Sequence, residues 1–264
     1  MNKVNCNFNK YFNTLRYLFF LAWARNKARF AKTKLGSFWV GVTTLLTVSS
    51  LAFVYGTVFK VDNLRAYIAY IGLGILYWNN LSTLIYDFST LLTRSRDRLL
   101  SSSMNILDVI IEEYIFSTQN LMLSMVTVLP VLAFIYPRVL TIFSLKFILG
   151  FLIYLIIIFI NALLTSLFTL LSADLRQLIP VILQLSFLLS PILYLKEAII
   201  GKEWVFMYNP LYLPIGIVRD TILDYDKFSH LFLIKVLFSC SVILFFCFFI
   251  IRKYSRKINL YIDY

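Results

Sequence analysis

The sequence predicts an all-α polytopic membrane protein. Of its 264 residues, 60% are hydrophobic and only 14% are charged, whereas soluble domains usually carry about 25% charged residues. Apolar runs of about 20 residues, the length needed to cross a bilayer core of ~30 Å, recur along the chain. We divide the chain into an N-terminal cytoplasmic and interfacial part, residues 1–34, and a transmembrane domain, residues 35–264.

The first element is predicted to be an amphipathic helix followed by a basic collar that reaches Lys34. A helix with aromatic, apolar and basic residues in this pattern is typical of the headgroup boundary of a membrane. A soluble amphipathic helix that docks on another subunit would have a similar pattern. Apolar residues recur at the helical spacing of Tyr11, Leu15, Leu18, Phe19 and Ala22.

Six transmembrane helices are predicted after the collar. The third has an unusually polar first part that includes Glu112, Glu113 and Gln119, and Pro130 could kink it. Asp87, late in the second, is a functional candidate because acids are costly in a bilayer, although it could instead pair with Arg94. The spans run approximately from Leu35 to Phe59, Ala66 to Leu92, Leu107 to Tyr136, Phe143 to Leu171, Leu178 to Leu195, and Leu231 to Ile251.

Between the fifth and sixth spans lies a broken apolar segment, which we predict to be a re-entrant helical pair over about residues 197–229. It is too short to cross the bilayer, and Pro210, Pro214 and Gly216 interrupt it. Irregular backbone at membrane depth must be shielded by protein or by a wet cavity. An ordinary outer loop with exposed aromatic residues is the alternative.

The charge distribution predicts the orientation of the chain. The net charge is +12, and most of the 25 Lys and Arg residues lie in the N-terminal part, the loops after spans two and four, and the C-terminal tail. The positive-inside rule therefore places both termini in the cytoplasm. Because these residues flank apolar spans, membrane orientation and binding to anionic membrane lipids explain them better than nucleic-acid binding does.

Several kinds of chemistry are missing from the sequence. It has no GxxxxGK[ST] motif to hold ATP phosphates, and a single histidine, His230, which argues against a histidine-rich metal site. We therefore expect a non-catalytic chain that binds neither metal nor cofactor. A membrane-embedded enzyme acting on lipids or glycans would need clustered acids or a nucleophile and base at one depth, and the sequence offers no convincing set.

The order of these features resembles the permease subunits of ATP-binding-cassette exporters of polysaccharides, including O-antigen, capsule and teichoic-acid exporters. The resemblance covers nearly the whole chain, although Ser37 stands where family members often have proline. Its motifs are Leu35, Gly36 and Trp39 at the entry to span one, Gly72, Gly74 and Trp78, Ser190-Pro191-Ile192 in span five, and Asn209-Pro210 with Arg219.

The resemblance implies a homodimer in the bacterial inner membrane that exports a lipid-linked glycan through a channel at the dimer axis. ATP and Mg²⁺ would be bound by a separate cytoplasmic ATPase subunit. A permease of the same type for a drug or another small hydrophobic substrate is the alternative. The implied sites are substrate entry at Arg25, Arg29, Lys32 and Trp39, ATPase coupling at Arg94, Arg96, Asp97 and Arg98, and an outer gate at Trp204, Tyr208, Pro210, Tyr212, Pro214 and Arg219.

Overall fold

The described part of the chain is built from helices. A computed structural model describes residues 2–58, 63–101, 105–195, 209–223, 235–247 and 249–250. Within these ranges no strand occurs, which confirms the all-α prediction. The helices are α1 (Asn2–Arg29), α2 (Trp39–Val58), α3 (Leu64–Arg94), α4 (Arg96–Ser101), α5 (Ile106–Ile135), α6 (Leu145–Leu171), α7 (Ala173–Leu189), α8 (Leu213–Leu223) and α9 (Lys235–Cys247). Short 3₁₀ segments, Gly36–Phe38 and Pro137–Phe143, precede α2 and α6.

Four described helices are long and apolar enough to cross a membrane. They correspond to the first four predicted spans, with bounds that differ by a few residues. The chain is thus a helical membrane protein, as its composition predicts. The four segments are Gly36–Thr57, Leu64–Arg94, Ile106–Ile135 and Leu145–Leu170.

The fifth predicted span, Leu178 to Leu195, has the wrong bounds. The helix α7 begins at Ala173, because Ser172 has an extended conformation and the following polar residues form the first helical turn. It ends at Leu189, and Ser190 is again extended, with a ψ angle of 144°. Proline restricts the residue before it to extended conformations, so Pro191 accounts for this end. Ser190-Pro191-Ile192 therefore forms a turn after α7 and is not part of a span.

The predicted sixth span and the predicted re-entrant pair lie partly outside the described residues. Within Leu231 to Ile251, the helix α9 covers Lys235–Cys247. Within 197–229, the structure describes 209–223, where α8 runs through Pro214 and Gly216. These two residues do not break the segment, since proline is accommodated in the first turn of a helix.

The helix α3 lies at the centre of the described helices and packs against α2, α5, α6, α7 and α8. It is the most buried of the four candidate spans. A polar network fixes its middle. The Tyr154 hydroxyl of α6 donates to the Tyr77 carbonyl and to Asn80 Oδ1, both at 2.9 Å. Asn80 Nδ2 in turn donates to the Ser117 hydroxyl of α5 at 3.0 Å. Hydrogen bonds of this kind help to join helices where lipid removes the hydrophobic driving force.

The helix α1 lies across α5 of the same chain. Leu18 and Ala22, two members of the apolar stripe, are completely buried in this contact. Gln119 of α5 bonds α1 at both ends of its amide: Nε2 donates to the Phe19 carbonyl, and Oε1 accepts from Asn26 Nδ2, each at 3.2 Å. Part of the stripe thus packs on this protein, a third possibility besides the lipid boundary and another subunit.

Candidate functional site

A polar cavity of about 310 Å³ lies between the end of α1, the start of α2, and the middle portions of α3 and α5. Its lining combines amide, hydroxyl and carboxylate groups with a few apolar and aromatic side chains, although three of its four walls are apolar helices. The lining residues are Arg29, Phe30, Trp39, Val40, Thr43, Thr44, Leu76, Asn79, Asn80, Thr83, Asp87, Ser117, Asn120, Leu121 and Ser124. This cavity is the candidate functional site.

A tight connection between α1 and α2 forms one wall of the cavity. The α1 helix ends at Arg29, and the Thr33 hydroxyl donates to the Phe30 carbonyl at 2.8 Å. Gly36 has a φ angle of 55°, which a residue without Cβ adopts at little cost. The 3₁₀ segment Gly36–Phe38 follows, and α2 begins at Trp39. This short connection places Arg29, Phe30 and Trp39 around the cavity.

Two asparagines of the cavity have different hydrogen-bonding states. Asn80 is held by Tyr154 and Ser117, so its amide is engaged within the core. Asn120 Oδ1 is buried and has no hydrogen-bond partner within the described part of the chain. A buried polar atom without a partner carries a desolvation penalty of about 1–3 kcal/mol. Asn120 therefore offers an acceptor to a ligand in the cavity.

A charge network joins α1 to α3, α4 and α5. Arg25 of α1 forms ion pairs with two buried carboxylates of α5, to Glu112 Oε1 at 2.8 Å and to Glu113 Oε2 at 3.0 Å. The other Glu112 oxygen pairs with Arg98 of α4 at 2.9 Å. Glu113 Oε2 also pairs with Arg94, at the end of α3, at 3.0 Å. Three arginines from three helices thus surround two glutamates.

Burial explains why this network needs several cations. The Glu112 and Glu113 side chains are 0% and 1% exposed, and a buried carboxylate without a partner is strongly unfavourable. The Arg25 guanidinium also lies over the Phe116 ring, 4.1 Å from its centre. Desolvation acts to lower the pKa of Arg25, but the hydrogen bonds and charges of Glu113 and Glu112 together raise it above its usual value. Arg25 is therefore charged at every physiological pH.

A fully buried arginine of α8 packs against the turn that follows α7. Arg219 of α8 is 0% exposed. Its Nη1 donates to the Pro191 carbonyl at 3.1 Å, its Nη2 donates to the Tyr212 hydroxyl, and its guanidinium lies 3.7 Å from the centre of the Tyr70 ring. Both of these hydrogen bonds end on neutral oxygens, and the Tyr70 ring covers one face of the guanidinium.

The turn around Arg219 is tied to α3 and to the start of α8. The Tyr70 hydroxyl donates to the Pro191 carbonyl at 3.0 Å, and the Tyr67 hydroxyl donates to the Leu193 carbonyl at 2.7 Å. Gly74 allows this approach, since a Cβ there would lie 3.1 Å from Ile192 and 3.4 Å from Arg219. Asn209 Nδ2 donates to the Ser190 hydroxyl at 3.1 Å. This bond connects the residue that follows α7 with the turn that precedes α8.

The residues predicted for substrate entry separate into three groups. Arg29 and Trp39 line the polar cavity. Arg25 lies in the charge network, and Lys32 is exposed and is not part of the cavity lining. Whether any of these residues contacts a substrate stays a prediction.

The residues predicted for ATPase coupling and for the outer gate also lie in different environments. Arg94 and Arg98 contact the buried glutamates, while Arg96 and Asp97 are exposed on α4. Arg94 Nη1 also lies 3.8 Å from Asp87 Oδ1, which agrees with the pairing that the sequence analysis gave as an alternative for Asp87. Tyr212 and Arg219 contact one another, and Pro214 is buried in α8, whereas Pro210 is exposed at the turn. Trp204 and Tyr208 lie outside the described residues.

Sequence reasoning missed the amides of the cavity. A usable signal was present: Asn79-Asn80 are the sole amide side chains of predicted span two, and Gln119-Asn120 are those of predicted span three. Polar residues at such positions within apolar spans often mark functional sites or helix contacts. Glu112 and Glu113 were recognised as unusual, but their arginine partners were not.

Comparisons with known proteins leave the family of this chain open. No protein-family model matches the chain, and no curated protein shows significant sequence similarity to it. The fold and the site therefore define a class and no more: a helical membrane protein with a polar cavity between its first spans.

Proposed function

We propose that the chain is the permease subunit of an ATP-driven exporter that moves a lipid-linked polysaccharide, such as O-antigen, out of the cytoplasm. In this proposal two copies form a channel at their dimer axis in the bacterial inner membrane, and both termini of each copy are cytoplasmic. A separate ATPase subunit binds ATP and Mg²⁺. The polar cavity at the α1–α2 connection is the observation that supports it best.

The chemistry of the cavity suits a sugar. Asn79, Asn120 and Thr83 offer hydrogen-bond donors and acceptors to hydroxyl groups, and the Trp39 ring offers a face to the CH side of a pyranose. Arg29 lies at the same site and carries a charge suited to a phosphate or pyrophosphate link. A lipid-linked glycan combines all three features.

The charge network supplies a route by which a partner could act on the cavity. Arg96 and Asp97 are exposed on α4, where an ATPase could dock. Arg98 of the same helix contacts Glu112, and Glu112 contacts Arg25 of α1. Because Arg29 lies one turn further along α1 and lines the cavity, displacement of α4 would be transmitted to the cavity wall.

Two other functions fit the site less well. A small hydrophobic substrate would leave the buried Asn120 Oδ1 without a partner, at a cost of about 1–3 kcal/mol. A membrane enzyme could use the clustered acids Glu112 and Glu113 as acid and base. However, both carboxylates are buried and already bound by arginines, and neither of them lines the polar cavity.

The test removes hydrogen-bonding groups from the cavity and keeps the branching of the side chain. We expect Asn79→Leu and Asn120→Leu each to lower export about tenfold, since each loses an interaction of about 1.4 kcal/mol with the glycan. The measurement is surface glycan together with cytoplasmic lipid-linked glycan, at equal levels of inserted protein. Thr57→Val is the matched control, because Thr57 is an exposed hydroxyl of the same membrane domain outside the cavity.

The complete removal of the chain tests the function more broadly. Deletion should abolish surface glycan and cause lipid-linked glycan to accumulate in the cytoplasm. Unchanged surface glycan, with no accumulation inside the cell, would contradict the proposed function.

A further inference from the structure

A second, apolar groove of about 390 Å³ lies between α1 and α5. Phe19 and Trp23 of α1 form one side of it. No residue lines both this groove and the polar cavity. The α5 side of the groove consists of Tyr114, Ile115, Thr118, Gln119, Met122, Leu123 and Val126.

The polar atoms along this groove are used within the protein. The Tyr114 hydroxyl donates to the Leu155 carbonyl at 3.0 Å, and the Thr118 hydroxyl donates to the Tyr114 carbonyl at 2.9 Å. Both ends of the Gln119 amide are bonded to α1. The groove therefore presents hydrocarbon and aromatic surface, which is suited to an apolar ligand.

The position of the groove indicates the kind of apolar ligand. Its α5 wall lies inside the candidate span Ile106–Ile135 and begins just after the charged pair Glu112 and Glu113. From Tyr114 to Val126 the helix rises about 18 Å, close to the roughly 15 Å depth of one hydrocarbon leaflet. Met122 and Val126 are 39% and 63% exposed, so the groove opens on the outer surface of the helix pair.

Basic side chains flank Phe19 and Trp23, the aromatic pair of α1, on both sides along the helix. Arg16, Phe19, Trp23 and Lys27 follow one another at spacings of three or four residues, and such residues share one edge of a helix. Arg16 and Lys27 are exposed. At the headgroup boundary, this edge would attract a phosphate group.

We propose that the groove is a binding site for one anionic phospholipid of the surrounding membrane. An acyl chain lies along α5 between Tyr114 and Val126, below the aromatic pair of α1. The phosphate is held by Lys27 or Arg16. The bound lipid thus fills the angle between α1 and α5. This site is independent of the transport proposal, because it requires neither a glycan nor an ATPase.

The experiment measures phospholipids retained by the purified full chain. The protein is delipidated in detergent, titrated with phosphatidylglycerol or phosphatidylcholine, and examined by native mass spectrometry. We expect one phosphatidylglycerol per chain with the wild-type protein. Met122→Trp should fill the groove and weaken binding at least about tenfold, since each methylene that leaves the groove loses about 0.8 kcal/mol. Val131→Trp is the control, at an exposed position of α5 outside the groove.

A second pair of variants separates the headgroup from the chain. Arg16→Gln combined with Lys27→Gln should lower the preference for phosphatidylglycerol about fivefold or more while binding of phosphatidylcholine persists. Lys34→Gln, outside α1, should leave the preference unchanged. Equal retention of phosphatidylglycerol by Met122→Trp and the wild-type protein would overturn the proposal, as would equal binding of phosphatidylcholine and phosphatidylglycerol by the wild-type protein. If Met122→Trp does not fold, Val126→Phe provides the same test.

Discussion

Two arginines that contact aromatic rings, Arg25 and Arg219, are stabilised in contrasting ways. Both guanidinium groups lie over an aromatic ring, Phe116 in one case and Tyr70 in the other. Arg25 is bound by carboxylates and its side chain is 31% exposed, whereas Arg219 is 0% exposed and donates to a backbone carbonyl and a phenol. The first is part of an ionic network that is partly exposed, and the second is enclosed.

The two arginines differ in how easily their contacts can rearrange. Each glutamate near Arg25 has a second arginine partner, so one pairing can weaken while another persists. The Arg219 contacts hold a specific turn, and no rearrangement preserves them without moving Pro191 and Tyr212. The charge network is thus suited to movement, and the Arg219 site is suited to a fixed structure.

The largest effect is expected from Arg219→Leu. The change removes the hydrogen bonds of Arg219 to the Pro191 carbonyl and to the Tyr212 hydroxyl, together with the cation–aromatic contact with Tyr70. We expect a loss of stability of roughly 3–5 kcal/mol, seen as low protein yield or a reduced midpoint of thermal unfolding in detergent. Arg138→Leu, an exposed arginine elsewhere, is the control. Equal stability of the two variants would show that the enclosed contacts contribute little.

A smaller effect is expected from Arg25→Gln. Glu112 and Glu113 keep Arg98 and Arg94, but both lose their closest cation from α1. We expect a loss of roughly 2–3 kcal/mol and weaker packing of α1 on α5, measured by thermal unfolding and by proteolysis of α1. The exposed neighbour Lys27→Gln should change stability by less than about 0.5 kcal/mol.

A double-mutant cycle makes this comparison sharper. Glu113→Gln should partly restore the stability of the Arg25→Gln protein, because the buried charge that lost one of its two arginine partners is then removed. A coupling energy of about 1–3 kcal/mol is expected for this pair. Strict additivity of the two changes would contradict the ion pair.

The smallest effect on stability is expected from Arg94→Gln and Arg98→Gln. Their side chains are 46% and 40% exposed, so water screens the pairs, and we expect about 1 kcal/mol or less for each. In the proposed complex, the triple change of Arg94, Arg96 and Arg98 to Gln should nevertheless lower recovery of the ATPase subunit. Wild-type recovery at normal insertion would argue against docking at α4.

The sequence was sufficient for the first four spans and insufficient for the fifth. An apolar run long enough to cross the bilayer decides the existence of a helix almost by itself, as at Leu145–Leu171. Helix ends depend on local backbone geometry, which average hydropathy does not contain. Ser172 starts α7 before the apolar run, and Pro191 ends it inside the run.

The part of the candidate site formed by residues close together in the sequence was predictable, and the part formed by distant residues was not. Arg29 and Trp39 flank the start of the first span, and their proximity follows from the short connection between them. The pairing of Arg25 with Glu112 joins residues 87 positions apart, and it depends on how α1 crosses α5. A single sequence with a suitable surplus of arginines does not specify which of them meets which acid.

The two hydrogen bonds of Gln119 limit how α1 can move. They join α5 to Phe19 and Asn26, two turns apart on one side of α1. Sliding along the helix axis would break both bonds, and so would rotation about it. What remains is a swing of the whole helix together with α5, or detachment in a single step. In kinematic terms Gln119 couples α1 to α5 as one unit, and this unit is joined to α2 through the connection that contains Gly36.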